Sequence, residues 1–580
     1  MKDLSNTDYS YKLIMNEKKP HLRINIKPLS GIILILALFL ATRLYRLSEI
    51  PRGIHVDEAG MAFDALCLAR YGTDRYGLSW PVYLTNYGGG QSALYAYLAA
   101  AAIRLLHFSP TVFRLPAVMG GLLTLIFGSL ILRRTLGTKA AWTGALLLTV
   151  CPCFLMTSRW GLDCNLMLGF TVMSLYALMT AVSSGRKRMY ALAGLSFGVT
   201  LYSYAVAFMA LPFFLAPALL WLLWCKKTTI TQILFFALPL GLLAAPLMLM
   251  IAFNTGLITP FSTPGFSIPI LPEYRGKELS LVHLPENLNL FSILFSHDFL
   301  AYNGFAAYGT LYYLSVPFFL LGLAQAMVDA WRQLPFYGKK DQTGRQDEQK
   351  SGAACPPASA APCFPCSDNK GHAAADFCGR FFVLLWFLVL LFVGLSMSGP
   401  NINRMNAIYF PLLYFTIQGI LLCGNAVHKR MGKRSLYIVS SAVAGLYLLL
   451  FLSFARFYYQ DYPQQIYPQQ YFNDSLIPML DYIDEKFPGQ NREIYVDNYD
   501  DNVVHPYIYT LLRRPNNRDL WLFEGQWDNS YGPYHFNLPD ETDSGGVYIM
   551  YSNGIAMAAL EQAGFTWEPY ELWKIYWKPQ

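Results

Sequence analysis

Gly53-Ile54-His55-Val56-Asp57-Glu58-Ala59-Gly60 and Ser158-Arg159-Trp160-Gly161-Leu162-Asp163 each follow a long apolar run, and their reading decides the fold. A carboxylate beside the hydrocarbon of a bilayer is costly, so acids placed there are functional candidates by default. Whether the two clusters can serve one site depends on whether both emerge on the same side of a membrane.

That a membrane is involved follows from composition. Of 580 residues, 54% are hydrophobic and only 14% charged, and the mean hydropathy is +0.30. Soluble chains carry roughly 25% charged residues. Many windows of about 20 apolar residues, enough to cross roughly 30 Å of hydrocarbon, exclude a soluble enzyme. The net charge of +7 gathers in short loops. It reads as an orientation signal and excludes a nucleic-acid partner.

The basic loops orient the chain. Lys18, Lys19, Arg23 and Lys27 precede the first apolar run, which puts the tail 1–27 in the cytoplasm. Arg133-Arg134, Arg186-Lys187-Arg188, Lys226-Lys227, Lys339-Lys340 and His428-Lys429-Arg430 can join it on one condition: the stretch 91–107 must not cross. Gly88-Gly89-Gly90 before it, Arg104 within it and His107 at its end suit a juxtamembrane or re-entrant helix. Both acidic clusters then face outward.

The expected class is an α-helical polytopic membrane domain over 28–455, with about 11 spans. These lie near 28–47, 112–132, 140–157, 165–183, 189–203, 206–224, 230–253, 310–332, 380–398, 404–424 and 436–455. The region 189–224 reads as two spans meeting at Tyr202-Ser203-Tyr204. Loops 46–111 and 254–309 are external, and the Pro and Gly content of the second suggests a lid. The first apolar run lacks a small-residue cleavage site and reads as a retained anchor.

Residues 331–379 form a low-complexity cytoplasmic loop with Cys355, Cys363, Cys366 and Cys378. Cys363-Phe364-Pro365-Cys366 lacks the second CxxC of a zinc site, so the thiols read as reduced and free of metal. Residues 456–580 change character, to Tyr, Asp and Asn without long apolar runs. Helices at Leu476–Lys486 and Ala556–Gln562, short strands at Glu493–Val496 and Val547–Tyr551, and an aromatic strand pattern over Trp567–Trp577 predict a small extracytoplasmic α/β domain. It contains no cysteine, which fits a bacterial envelope.

The order of segments resembles a family. The His55-Val56-Asp57-Glu58 loop is followed by Tyr95-Ala96-Tyr97-Leu98, by Phe113-Arg114-Leu115-Pro116 and by Arg159-Trp160-Gly161-Leu162-Asp163. It is similar to the GT-C membrane glycosyltransferases of the glycosyltransferase family 39-like group, which includes protein O-mannosyltransferases and aminoarabinose transferases. The likeness is best over about 40–170. It implies a GT-C fold with juxtamembrane helices in the first external loop, an extracytoplasmic site and a polyprenyl-phosphate-linked sugar donor. The acceptor, whether protein, lipid or glycan, is left open.

The resemblance carries roles to residues. Asp57 matches the first-loop catalytic acid and is expected to be the general base of an inverting transfer. Glu58 beside it orients Asp57 or the acceptor, and Asp163 matches the second acid. Arg114 matches an arginine suited to the donor phosphate. Arg404, in a short loop at an external mouth, suits bidentate phosphate contact. His55, Tyr87 and His297 are candidate substrate contacts. Structural alternatives stand beside these: Asp57 or Glu58 capping a helix over Ala59–Arg70, Asp163 paired with Arg159, and Arg114 snorkelling to headgroups.

One departure bears on cofactors. Where aminoarabinose transferases carry a further acid and mannosyltransferases a histidine, this chain has Gly88-Gly89-Gly90-Gln91. The expectation is metal-independent chemistry with no cofactor. The rival readings are a transporter or flippase of envelope lipids, which would show inverted repeats and charges within spans, and a non-catalytic envelope sensor. The expected location is a bacterial plasma membrane.

Overall fold

The computed structural model of the chain describes residues 26–86, 89–274, 280–285, 287, 291–296, 304–332, 372–397, 402–464, 475–488, 492–497, 513, 530–551 and 553–579. The described part is mostly helical. Helices α1 (Ile26–Leu44) and α2 (Val56–Tyr71) precede a hairpin of β1 (Tyr83–Asn86) and β2 (Gly89–Ser92). Then come α3 (Ala93–Leu106), α4 (Pro110–Leu136), α5 (Thr138–Val150), α6 (Pro152–Thr157), α7 (Cys164–Ser184), α8 (Lys187–Leu201), α9 (Val206–Trp224), α10 (Ile230–Asn254), α11 (Val316–Arg332), α12 (His372–Leu395) and α13 (Tyr409–Arg456). Seven helical stretches among the described residues are long and apolar enough to cross a membrane.

Local chemistry sets the boundaries. Ser109 accepts from the Val112 N–H and Pro110 occupies the first turn of α4, where its missing N–H costs nothing. The expected span 140–157 is divided at Cys151-Pro152 into α5 and α6, because proline cannot donate into the preceding turn. The pair 404–424 and 436–455 lies within α13, broken at Gly432 (φ 83°), so two apolar halves flank the basic segment His428–Arg434. Cys378, expected in a polar loop, is buried in α12, which begins at His372. The other loop cysteines, Cys355, Cys363 and Cys366, lie outside the described residues.

The stretch 91–107 is the helix α3, which follows directly on β2 and packs between α2 and α4. Its exposed end carries Arg104 and His107. A large apolar core joins α4, α5, α7, α9, α12 and α13. A second runs from α2, α3 and the start of α4 (Phe63, Tyr95, Phe113) into the C-terminal domain (Leu480, Val496, Trp573). The small domain therefore sits on the first loop.

That domain contains α14 (Leu476–Lys486), β3 (Ile494–Val496), β4 (Ser530–Tyr531), β5 (Tyr534–His535), β6 (Val547–Met550), α15 (Gly554–Gln562), β7 (Thr566–Tyr570) and β8 (Trp573–Trp577). The sheet order is β4-β5-β3-β6-β8-β7, with β3 parallel to β5 and β6 and the other pairs antiparallel. Leu480 and Ile483 of α14 belong to the apolar layer of Ile494, Val496, Val547 and Ile549. Leu560 of α15 joins Tyr548, Met550 and Tyr576, which alternate with them on the other face. The aromatic stretch Trp567–Trp577 is a hairpin rather than one strand.

Candidate active site

α2 begins earlier than the apolar pattern suggests, because its cap is His55. The imidazole Nδ1 accepts the Asp57 N–H at 3.1 Å, and Glu58 Oε2 accepts the His55 N–H at 3.2 Å, closing a reciprocal capping box. Asp57 and Glu58 thus lie in the first turn, and the capping carboxylate is Glu58. The two neighbours part company at once: Glu58 is fully buried, whereas the Asp57 side chain keeps 40% of its surface.

Glu58 is held by Arg114 through two bonds, Nε to Oε1 at 3.0 Å and Nη2 to Oε2 at 2.9 Å, and its Oε1 accepts the Gly161 N–H at 2.7 Å. A Cβ at position 161 would stand 2.8 Å from that same oxygen and 2.6 Å from the Phe113 ring, so only glycine admits the contact. The remaining Arg114 N–H groups donate to the carbonyls of Leu47, Pro51 and Gly53 at 2.8–3.0 Å. A guanidinium has five N–H donors, and all five are spent inside the protein. The expectation that Arg114 binds the donor phosphate is therefore corrected. It ties the first loop to α4, and Glu58 is equally occupied.

Arg159 is corrected in the same way. It does not pair with Asp163. It donates to the carbonyls of Thr42, Arg43, Tyr45, Arg46 and Ile50, at and just beyond the end of α1. Both arginines anchor the acidic loops to the end of the first helix.

Asp57 is left facing outward. Its Oδ1 accepts from Asn86 Nδ2 at 3.2 Å, and its Oδ2 stands 3.8 Å from His55 Nδ1. His55 meets Trp160 edge-on, with ring centroids 5.3 Å apart, which brings the first acidic loop against the second. Asp163 is 6% exposed. Its Oδ1 accepts the Cys164 N–H at 2.8 Å as the cap of α7, and its Oδ2 accepts the Ser92 N–H at 3.0 Å. Burial pushes the Asp163 carboxyl up to about 7, against the pull of the Ser92 N–H, and the nearby charge of Asp57 adds to the rise. The two acids share one electrostatic neighbourhood.

A third turn joins them. Burial raises the Tyr204 phenol well above its ordinary value; Cys164 and Asp163 add to the rise and the Arg404 guanidinium opposes it. Arg404 is partly exposed and sits in the 3-10 turn Ile402–Ile408. Asn406 fixes that turn, donating to the Cys164 carbonyl at 2.9 Å and to Asn165 Oδ1 at 3.1 Å. Asp57 thus lies near Asp163, and Asp163 and Arg404 each lie near Tyr204, from elements far apart in sequence. Tyr204 escaped the sequence reading except as a turn between spans, and Asn86 and Asn406 carried no signal there.

Tyr87 and His297 lie outside the described residues. Gln91 sits in β2, its side-chain carbonyl buried and without a hydrogen-bond partner. Among the described residues no group of three or more His, Cys, Asp or Glu is gathered as a metal site would need.

Residues 91–251 match the family model described as dolichyl-phosphate-mannose-protein mannosyltransferase. The resemblance to the GT-C, family 39-like glycosyltransferases is met over that stretch. No curated protein matches the chain. Among solved structures, ArnT from Cupriavidus metallidurans, in the apo state and bound to undecaprenyl phosphate, is similar at 11% identity and a TM-score of 0.49. That comparison covers 95% of this chain and 99% of ArnT. The archaeal oligosaccharyltransferase AglB from Archaeoglobus fulgidus, in complex with an inhibitory peptide and a dolichol-phosphate, is similar at 12% identity and a TM-score of 0.43. It covers 83% of this chain and 63% of AglB.

Proposed function

We propose that this multi-pass membrane protein is a glycosyltransferase. It moves a sugar from a polyprenyl-phosphate donor to an acceptor hydroxyl on the extracytoplasmic face of a bacterial plasma membrane. The observation that carries the reading is the contrast within one acidic pair: Glu58 is buried and paired, while Asp57 is half-exposed and stands beside Asp163. A base must reach its substrate, and of the adjacent pair Asp57 and Glu58 only Asp57 can.

In the proposed reaction Asp57 takes the acceptor hydroxyl proton as the oxygen attacks the anomeric carbon. The bond from that carbon to the phosphate oxygen breaks, and the electron pair leaves with the polyprenyl phosphate. One displacement inverts the configuration. Arg404 meets the charge that develops on the leaving phosphate, a task for a planar, permanently charged donor. Asp163 holds its proton near neutrality and spares Asp57 a second full negative charge. The base needs no metal in this scheme, since Gly88-Gly89-Gly90-Gln91 stands where the resemblance carries an acid or histidine. Lipid-linked sugars suit an external site embedded among apolar helices, whereas nucleotide sugars are cytoplasmic.

Purified protein is expected to transfer from polyprenyl-phosphate sugars, to ignore UDP- and GDP-sugars, and to keep its rate in EDTA. Asp57→Asn is expected to lower transfer by about 10²–10⁴-fold. Near-normal turnover by that variant removes the base, and activity with a nucleotide sugar alone removes the donor class. EDTA-sensitive activity restored by a divalent ion would overturn only the metal-free scheme.

A further inference from the structure

The outward carboxylate of Asp57 is held from one side by a chain of buried polar groups that the reaction scheme does not use. Asn86, 7% exposed, closes strand β1 and donates from Nδ2 to Asp57 Oδ1 at 3.2 Å. Its Oδ1 accepts from Arg75 Nη2 at 3.0 Å. A guanidinium can only donate, so the atom facing Arg75 must be the amide oxygen and the atom facing Asp57 must be the NH2 group. The orientation of the amide is fixed by chemistry. Arg75 is fixed in turn, because Asp64 accepts from its Nε at 3.0 Å, from its Nη2 at 2.8 Å and from its backbone N–H at 3.0 Å. Asp64 and Arg75 expose only 1% and 4% of their side chains.

The sequence makes room for this chain at one position. A Cβ at Gly60 would stand 2.6 Å from Asn86 Oδ1 and 2.9 Å from Arg75 Nη2. Gly60 lies one helical turn after Asp57, so the glycine that ends the first motif lets the hairpin amide and the guanidinium lie flat against α2.

We infer that Asn86 is a positioning residue that aims Asp57, with Arg75 and Asp64 setting the direction of its amide. A donor on Oδ1 holds the carboxylate in one rotamer, with Oδ2 3.8 Å from His55 Nδ1. A donor on a carboxylate in general favours the ionised form over the protonated one. The other titratable groups near Asp57 are His55, across Oδ2, and Asp163 and Cys164 at the second loop. The role given to Asp57 rests on the proposed function, but the contact itself can be read independently.

The test uses the full chain in detergent and dicyclohexylcarbodiimide, which labels protonated carboxyls, with labelling of Asp57 followed against pH by peptide mass spectrometry. Asn86→Asp sets a carboxylate against Asp57 and is expected to raise the labelling midpoint by about one pH unit or more over wild type. Asn86→Ala, which removes the donor and adds no charge, is expected to raise it by less. A midpoint unmoved in Asn86→Ala overturns the inference, and that variant decides the matter if Asn86→Asp does not fold. The two readings fail separately. Full transfer by Asp57→Asn would remove the base while the midpoint shift stands. An unmoved midpoint with Asp57→Asn inactive would remove only the positioning role.

Discussion

Glu58 and Arg114, 56 positions apart in sequence, meet in a two-bond pair at 2.9 and 3.0 Å with no more than 1% of either side chain exposed. The pair converts a motif that reads as catalytic into a joint. It joins α2, the residues after α1 and the start of α4, and leaves Asp57 as the member of the acidic pair that a substrate can reach.

Removing one partner of such a buried pair strands the other charge. Glu58→Gln should destabilise the fold by about 3–5 kcal/mol, and Arg114→Lys, which keeps the charge but loses the fork, should also destabilise it. Lysine cannot replace five donors in a planar fork. Thermal unfolding in detergent should show a clear loss for both variants. A stable Arg114→Lys protein with impaired donor binding would return Arg114 to the phosphate.

Arg404 should behave in the opposite way. It is partly exposed, and Asn406 makes two hydrogen bonds that pin its turn to α7. Arg404→Gln is expected to unfold within about 1 kcal/mol of wild type while transfer falls about 10²–10³-fold, as for loss of one stabiliser of developing charge. Wild-type turnover from a polyprenyl-phosphate sugar would exclude it from the site.

Asp163 makes stability depend on pH. Its carboxyl is pushed from an ordinary 3.8 to about 7 in the fold, so the folded protein holds a proton that the unfolded chain releases. The stabilising contribution of the protonated form is complete at about pH 4 and below, and is lost as pH rises through about 7. Asp163→Asn should flatten that part of the stability profile. A profile between about pH 5 and 8 identical to wild type would contradict the assignment.

Orientation can be read from accessible positions. Residues 158–168 are buried, so a reporter beside Asp163 would be silent whichever side it faced. Cysteines at Glu49 and Ile555, both well exposed, should label from outside intact cells with an impermeant thiol reagent. Cysteines at Lys139 and Arg186, also exposed, should label only after permeabilisation. Labelling of all four from outside would refute the shared external face.

Much of the architecture was written locally. Long apolar runs, caps at Ser109 and Thr229, and prolines at 110 and 152 act within a few residues of the chain, which is why helices stand close to where hydropathy places them. The alternating apolar strands of the C-terminal domain were legible for the same reason. The aromatic stretch 567–577 was read as one strand because its turn, Glu571-Leu572, lacks glycine and proline, and Glu571 itself takes the positive φ of 49°.

The division of labour among the charged residues was not legible. Asp57 and Glu58 are adjacent and chemically alike, and what separates them is which one Arg114 and the Gly161 N–H reach across the bundle. The arginines at 114, 159 and 404 look equivalent in sequence, yet two are consumed inside the protein, largely by backbone carbonyls, and one lies near Tyr204. Sequence by itself determined that the chain enters a membrane and where its acids leave the hydrocarbon, because those depend on the solvation of short segments. Tertiary structure decided which acid of the pair remains open and which arginines are locked inside, because a charge buried away from water must find its partners wherever the packed helices supply them.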